Sequence, residues 1–473
     1  MSSIYPPILS LARSGATSRA WDAFLAAGLD GVEQVEALTL KGRLLKDRAR
    51  LAAGAERAAL FAQSGAAYRR AAALRPNSYP LINAAAMALF AGDPANGAAI
   101  AQQTLDLLNA NPDEGETPYW RAATFAEAHL LLGNAEAAKR QLEDAIALAP
   151  QAWEDRASTL RQFAQILSHQ RQKTDWLDVL RPPPALHFSG MMGIAPHDAE
   201  AERTIFEAVA EIAPGSGFGA LAAGSDIMIA EALLANGAEL HVVLPSDPAD
   251  FRISSVVAFD ATWGARFEAM IDAATSITVA ANDSSLTRAA INLADRMAMG
   301  MAVETASRFE TKAQALRIGP RGGPVRQDVW HCSGRDLVRL ELRETASALP
   351  GNALNDGALN FALAAVRQNG PVGVSLNSEL AHVLANRLAG AAYALDCDAD
   401  VDSAILVERV TALVRNSSEN VVLASKEATM ATLAEGLCCR CEPMGEMATA
   451  DGAVEVYALI CPEVAKTQSS GSG

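Results

Sequence analysis

Three consecutive prolines, Pro182-Pro183-Pro184, divide this chain of 473 residues into two parts with different local patterns. Proline fixes φ and has no N–H to give to a helix, so no helix runs through this point. Before it, apolar residues recur at spacings of three and four, and no stretch alternates as a strand does. After it, short apolar runs alternate with helical periodicity. We place a domain boundary at Arg181–Pro184 and expect a multi-domain protein, an α part followed by α/β parts.

Residues 1–180 are rich in Ala, Leu, Arg, Glu and Gln, all good helix formers, and Pro and Gly are read as falling between helices. An internal repeat is visible. Its clearest copy runs from Tyr119 to Pro150: Gly133 permits a tight turn, Ala138, Leu142 and Ala145 share one face of the next helix, and Pro150 stops it. A weaker copy ends at Pro76, with Tyr68 and Ala71 at matching offsets, and a third turns at Gly92 with Gly97 and Thr104 where Ala is expected. This pattern resembles the tetratricopeptide repeat, a helix pair of about 34 residues. One pair cannot bury its own apolar face, so the copies must stack. The resemblance implies a solenoid scaffold that binds a protein partner and carries no chemistry.

Lys and Arg total 39 against 55 Asp and Glu, a formal charge of −16, which argues against broad binding of duplex nucleic acid. No apolar run approaches the ~20 residues that span a bilayer, and Met1–Pro7 carries neither a basic stretch nor an apolar signal core. A soluble, cytoplasmic protein without membrane contact is expected. Five of six cysteines lie beyond residue 390. Cys438-Cys439-Arg440-Cys441 reads as strand, which sends adjacent thiols to opposite faces, so these are taken as small buried hydrophobes and no metal site is expected. His187, His241 and His331 are scattered and form no catalytic or metal set. Residues 464–473 read as a flexible tail.

Residues 185–345 read as a parallel sheet with helices on both faces. Strands are expected at Ala185–Phe188, Gly217–Leu221, Glu239–Leu244 and Ser276–Ala281, and helices at 199–213, Ile227–Asn236 and up to about Arg308. Ligands of such sheets bind outside the carboxyl ends of the strands. Ser189-Gly190 follows the first strand, Gly224-Ser225-Asp226 opens a helix, and Pro245-Ser246-Asp247 follows the third strand. A helix N-terminus offers free N–H groups and partial positive charge to a phosphate, although Ser and Asp there are equally good helix caps. Glu231 lies five residues after Asp226, about 140° round the helix, so the two do not share a face.

Phe188-Ser189-Gly190, Ala223-Gly224-Ser225-Asp226 with Glu231, and His241-Val242-Val243-Leu244-Pro245 together resemble the SLOG superfamily of Rossmann-like domains, found in nucleotide signalling and in nucleotide phosphoribohydrolases. The resemblance implies a nucleotide or nucleotide-derived ligand at Ser189, Gly190, Gly224, Ser225, Asp226, Glu231 and Pro245. The phosphoribohydrolase motif Pro-Gly-Gly-x-Gly-Thr is missing; Arg321-Gly322-Gly323-Pro324 comes nearest and lacks the spacing.

Residues 346–463 read as a small α/β domain of ferredoxin-like type. Strands are expected at Val372–Leu376, Asn420–Ala424, Leu437–Met444 and Ala453–Ile460, and helices from Ser378 to about Ala394, at Asp402–Arg415 and at Lys426–Ala434. Val422–Ala428, Glu442–Met447 and Val454–Leu459 resemble the last strands of class III adenylate and guanylate cyclases. That chemistry uses two carboxylates on two metals and an Asn-x-x-x-Arg pair. Asp402 and Leu406 stand at the latter positions, and Asp356, in a turn, is the lone acid in the region where the metal-binding pair belongs. The resemblance therefore implies a degenerate domain without catalytic residues that dimerises the chain. The sequence as a whole reads as a regulatory protein with a nucleotide-binding centre. The alternatives are a nucleotide enzyme, either an N-glycosidic hydrolase or a cyclase, and a purely structural scaffold.

Overall fold

A computed structural model describes residues 5–13, 17–280, 286–324, 328–346, 356–367, 370–385, 391–417, 422–437, 440–449 and 452–460. The chain forms two compact units, Met1–Pro182 and Pro183–Gly473. No helix among the described residues is long and apolar enough to cross a membrane.

The first unit is helical: α1 (Tyr5–Arg13), α2 (Thr17–Ala26), α3 (Val35–Leu51), α4 (Gly54–Leu74), α5 (Ser78–Phe90), α6 (Pro94–Ala110), α7 (Pro118–Leu131), α8 (Ala135–Leu148) and α9 (Trp153–His169). Each of α3 to α7 packs on the helix that follows it. Local chemistry sets the starts. Asn77, Asp93 and Thr117 cap α5, α6 and α7 through their side chains, the last two with a proline in the first turn. The repeat positions fall as expected. Gly133 turns between α7 and α8 at φ +80°, and Ala138, Leu142 and Ala145 are fully buried. Glycine is not confined to turns, however. Gly42, Gly65 and Gly97 lie inside helices. A Cβ at Gly42 would stand 2.9 Å from the Tyr68 ring, and one at Gly97 would stand 2.9 Å from the Ala85 carbonyl oxygen. These glycines are kept for close helix crossings.

The second unit begins with a six-stranded parallel sheet in the order β4-β3-β2-β1-β5-β6. Its strands are β1 (Ala185–Ser189), β2 (Ser216–Gly219), β3 (Glu239–Leu244), β4 (Ser276–Val279), β5 (Ala313–Pro320) and β6 (Asp336–Leu342). The sequence reading found the first four; residue 281 lies outside the described residues. Between strands run α10 (Ala199–Ile212), α11 (Ser225–Ala235), α12 (Pro248–Arg252), α13 (Thr262–Ala273), α14 (Arg288–Arg308) and α15 (Val329–Cys332). Leu186 and Phe188 of β1 enter a core with Ile205 of α10 and Ile227 of α11. Ala185, on the opposite face, joins a second core with α14.

A second six-stranded sheet follows in the order β11-β12-β10-β9-β7-β8. It contains β7 (Leu359–Val366), β8 (Gly373–Asn377), β9 (Ala392–Ala399), β10 (Val422–Ser425), β11 (Arg440–Thr449) and β12 (Gly452–Ile460), with α16 (Leu380–Ala385), α17 (Ser403–Val414) and α18 (Lys426–Ala434). β7 and β9 were not foreseen. The helix expected to reach Ala394 stops at Ala385, and Ala392–Ala394 open β9 instead; residues 386–390 lie outside the described residues. Asn420, Cys438, Cys439 and the tail also lie outside them.

One continuous core joins the two sheets. Leu293, Met297 and Ala302 of α14 are buried with Phe361, Leu395 and Val422 of the second sheet and with Ala428 and Ala431 of α18. The two helices meet at Gly300, where a Cβ would fall 2.1 Å from the Met430 carbonyl oxygen. The far face of the second sheet is covered by Leu406, Val410 and Leu413 of α17.

Candidate functional site

In the first sheet, connections leave β1 toward β2 on one side, and the chain returns to its other side at β5. This reversal is a topological switch point, and ligands bind beyond the carboxyl ends of strands at such points. Beyond β1 the chain turns at Gly190 and is fastened to the start of α11. The Ser225 hydroxyl accepts a hydrogen bond from the Met191 N–H (2.7 Å) and donates one to the Met191 carbonyl (3.1 Å). The Ser225 N–H donates to the same carbonyl at 3.1 Å. Gly190 makes this approach feasible, since a Cβ there would lie 1.8 Å from the Ser225 Oγ. Gly224, at φ +95°, has room for no side chain because a Cβ would stand 2.5 Å from the Met191 carbonyl oxygen. Ser225 is fully buried. Gly190, Gly224 and Ser225 thus act together as a clamp, and residue 191 already takes one of the N–H groups that a phosphate was expected to use.

Asp226 follows in the first turn of α11 and is 8% exposed. Its Oδ1 is buried without a hydrogen-bond partner among the described residues, although the Gly190 and Ala222 N–H groups favour the charged carboxylate. Burial, aided by the negative charge of Asp295, lifts its pKa to about 7. Two strands from β1, buried Pro245 ends β3, and the next residue, Ser246, also has a fully buried hydroxyl without a partner among the described residues. A π-helical turn, Ile253–Val257, supports this edge: the Ser255 carbonyl accepts the Ala223 N–H at 3.0 Å. Ser189 is half-buried opposite Arg317 in the β1–β5 register. Glu231 goes elsewhere. Arg266 of α13 grips it with two hydrogen bonds, one of them 2.7 Å long, so it joins α11 to α13.

Beside the clamp runs a charged network that the sequence reading passed over. His187 of β1 is fully buried, and its ring stacks on Trp330 at 5.8 Å. Its Nδ1 is 2.6 Å from Nη1 of Arg317 on β5. A guanidinium only donates, so Nδ1 accepts and the proton sits on Nε2. Nε2 stands 3.1 Å from Asp295 Oδ1 of α14, at ion-pair distance but without an aligned hydrogen bond. Arg317 is held in turn by Asp328 at 3.1 Å. Burial, then the adjacent Arg317 charge, lowers the His187 pKa to about 4, so the ring is neutral at pH 7. The one signal available in sequence was Arg317 itself, a cation set between apolar neighbours in Leu316-Arg317-Ile318.

The second sheet treats its acids differently. Asp396 and Asp398 point to one face of β9, and Arg409 of α17 bonds both, at 2.8 Å and 2.7 Å. Asp402 caps α17 by accepting the Ala404 N–H at 2.9 Å, and Leu406 is core at 1% exposure. Asp356 is exposed and pairs with Arg288 at 3.0 Å. Among the described residues no group of three or more His, Cys, Asp or Glu could hold a metal ion.

No curated protein and no solved structure matches this chain. Residues 5–88 match the family model described as Tetratricopeptide Repeats-Sensor, so the helical N-terminal region is similar to a repeat-based sensor and interaction module.

Proposed function

We propose that this chain is a nucleotide-related regulatory protein. A SLOG-like, Rossmann-type first sheet binds a nucleotide-derived ligand, the helical repeats hold a protein partner, and the second sheet is a catalytically degenerate cyclase-like domain that pairs with a second copy. The observation that carries the ligand reading is Asp226 Oδ1, a buried oxygen without a partner among the described residues, at the switch-point edge of a parallel sheet. Buried polar atoms are nearly always bonded, so each exception calls for an explanation, and at the ligand edge of such a sheet a bound group supplies one. Because the clamp already engages the start of α11, Asp226 is better suited to a hydroxyl or amino group of the ligand than to its phosphate. The degenerate reading is supported by Asp402 and Leu406, spent on a helix cap and on core packing, and by Arg409, which neutralises the Asp396 and Asp398 pair. Val374 and Leu376, at 36% and 41% exposure on the edge strand β8, support pairing.

Thermal unfolding of the full chain with NAD, ADP-ribose, ATP and cyclic AMP tests the ligand reading. One of them should raise the melting temperature, by an amount equivalent to about 2.7 kcal/mol at a hundredfold excess over Kd. Asp226→Ala should remove most of that gain. If none shifts it at millimolar concentration, the reading fails. A second reading, a nucleotide-cleaving enzyme, draws on the Asp226 pKa of about 7, which suits general acid–base work. Consumption of the stabilising ligand over hours, lost in Asp226→Asn, would favour it.

A further inference from the structure

A cavity of about 610 Å³ opens in the helical unit between α1, α3, the start of α5 and the turn joining α6 to α7. Its size falls within the ~300–1,000 Å³ range of small-ligand sites. Arg43 of α3 lines it with a side chain only 29% exposed, yet its nearest carboxylate is Asp47 at 3.8 Å, beyond hydrogen-bond reach. A guanidinium carries five N–H donors and prefers a carboxylate held by two of them. The other cation at the cavity is engaged, since Arg75 pairs with Glu36 at 3.3 Å. On the turn, Glu114 accepts the Ser78 N–H at 2.7 Å. Asp113 and Glu116 are exposed and make neither hydrogen bond nor ion pair among the described residues. Leu9, Leu40 and Tyr79 supply apolar lining. Behind Tyr79, edge-on at 6.2 Å, lies the buried ring of Tyr68.

Four acids face two arginines here, Glu36, Asp113, Glu114 and Glu116 against Arg43 and Arg75, so a polyanion is disfavoured. One cation held only by a long ion pair and two unpaired carboxylates instead fit a ligand that carries both signs. The match to the sensor family, residues 5–88, includes all of the lining except the turn 113–116. We propose that this cavity binds a small zwitterion of the amino-acid or short-peptide class, its carboxylate on Arg43 and its ammonium at Asp113 and Glu116. This site stands apart from the parallel sheet and does not depend on the nucleotide reading.

The test is calorimetric titration of the full chain with leucine and tri-leucine, each with free ends, C-amidated or N-acetylated. A free-ended probe should bind, and its C-amide should bind at least about tenfold more weakly, the loss of one charge-assisted pair. Arg43→Gln should cause the same loss for the free probe, with Arg43→Lys recovering part of it. Asp113→Asn with Glu116→Gln should weaken the free probe and leave the N-acetyl probe unchanged. Leucine binding would identify an amino acid as the source, and tri-leucine binding alone would identify a peptide. The proposal is overturned if no free-ended probe binds at millimolar concentration, or if C-amidation of a bound probe costs nothing; both outcomes are read on the unmutated protein.

Discussion

Asp226 and His187 place two buried titrations of opposite sense in one sheet. The carboxyl of Asp226 is raised from 3.8 to about 7 in the folded chain. Between those values the native state binds more protons than the unfolded state, so stability falls as pH rises through that window. His187 is lowered from 6.5 to about 4, so between those values the unfolded state binds more protons, and stability falls as pH drops. Asp226→Asn, which mimics the protonated acid, should therefore raise the melting temperature at pH 8 and change it little at pH 4. Melting curves of both proteins across pH 4–9 check this; an equal shift at the two ends would show that Asp226 does not titrate as its burial implies. At this scale the sequence was informative only locally. Gly190, Gly224 and Ser225 could be seen as turn residues from their types, but the clamp they form with Met191 could not, because it joins positions 34 apart. The partnership of His187 with Arg317 spans 130 residues and leaves no local signature.

At the scale of elements, the closest helix contact decides much of the packing. A methyl group at Gly300 would collide with the Met430 backbone, and backbone cannot rotate away as a side chain can. Gly300→Ala should thus destabilise by about 1–3 kcal/mol or more, despite the higher helix propensity of alanine. Gly97→Ala should behave likewise against the Ala85 carbonyl, and urea unfolding of the two variants would measure both effects. The helices were legible because their apolar spacing repeats and because Pro76, Gly92, Gly133 and Pro150 punctuate it. β7 and β9 were missed for a physical reason. Both are central, covered by α14 and α18 on one face and by α17 on the other. Most of β7 and the start of β9 are therefore apolar on both faces, and Ala392–Leu395 reads as helix, although Leu395–Ala399 alternates.

At the scale of the whole molecule the chain forms two compact units, Met1–Pro182 and Pro183–Gly473. The fragment 1–182 should fold alone, giving a cooperative helical melt by circular dichroism. The fragment 183–345 should not, because the α14 face that carries Met297 and Ala302 would lose the second sheet and α18. A cooperative melt of that fragment near the temperature of the intact chain would contradict a shared core. The contact of α14 with α18 also bears on synthesis. Gly300 leaves the ribosome 130 residues before Met430, its partner (430 − 300). At ~5–20 residues per second that is a delay on the order of ten seconds. Throughout it an alanine-rich, apolar helix face waits uncovered, even after β5 and β6 have completed the first sheet, so the nascent chain is most exposed to aggregation and to chaperone capture at that stage.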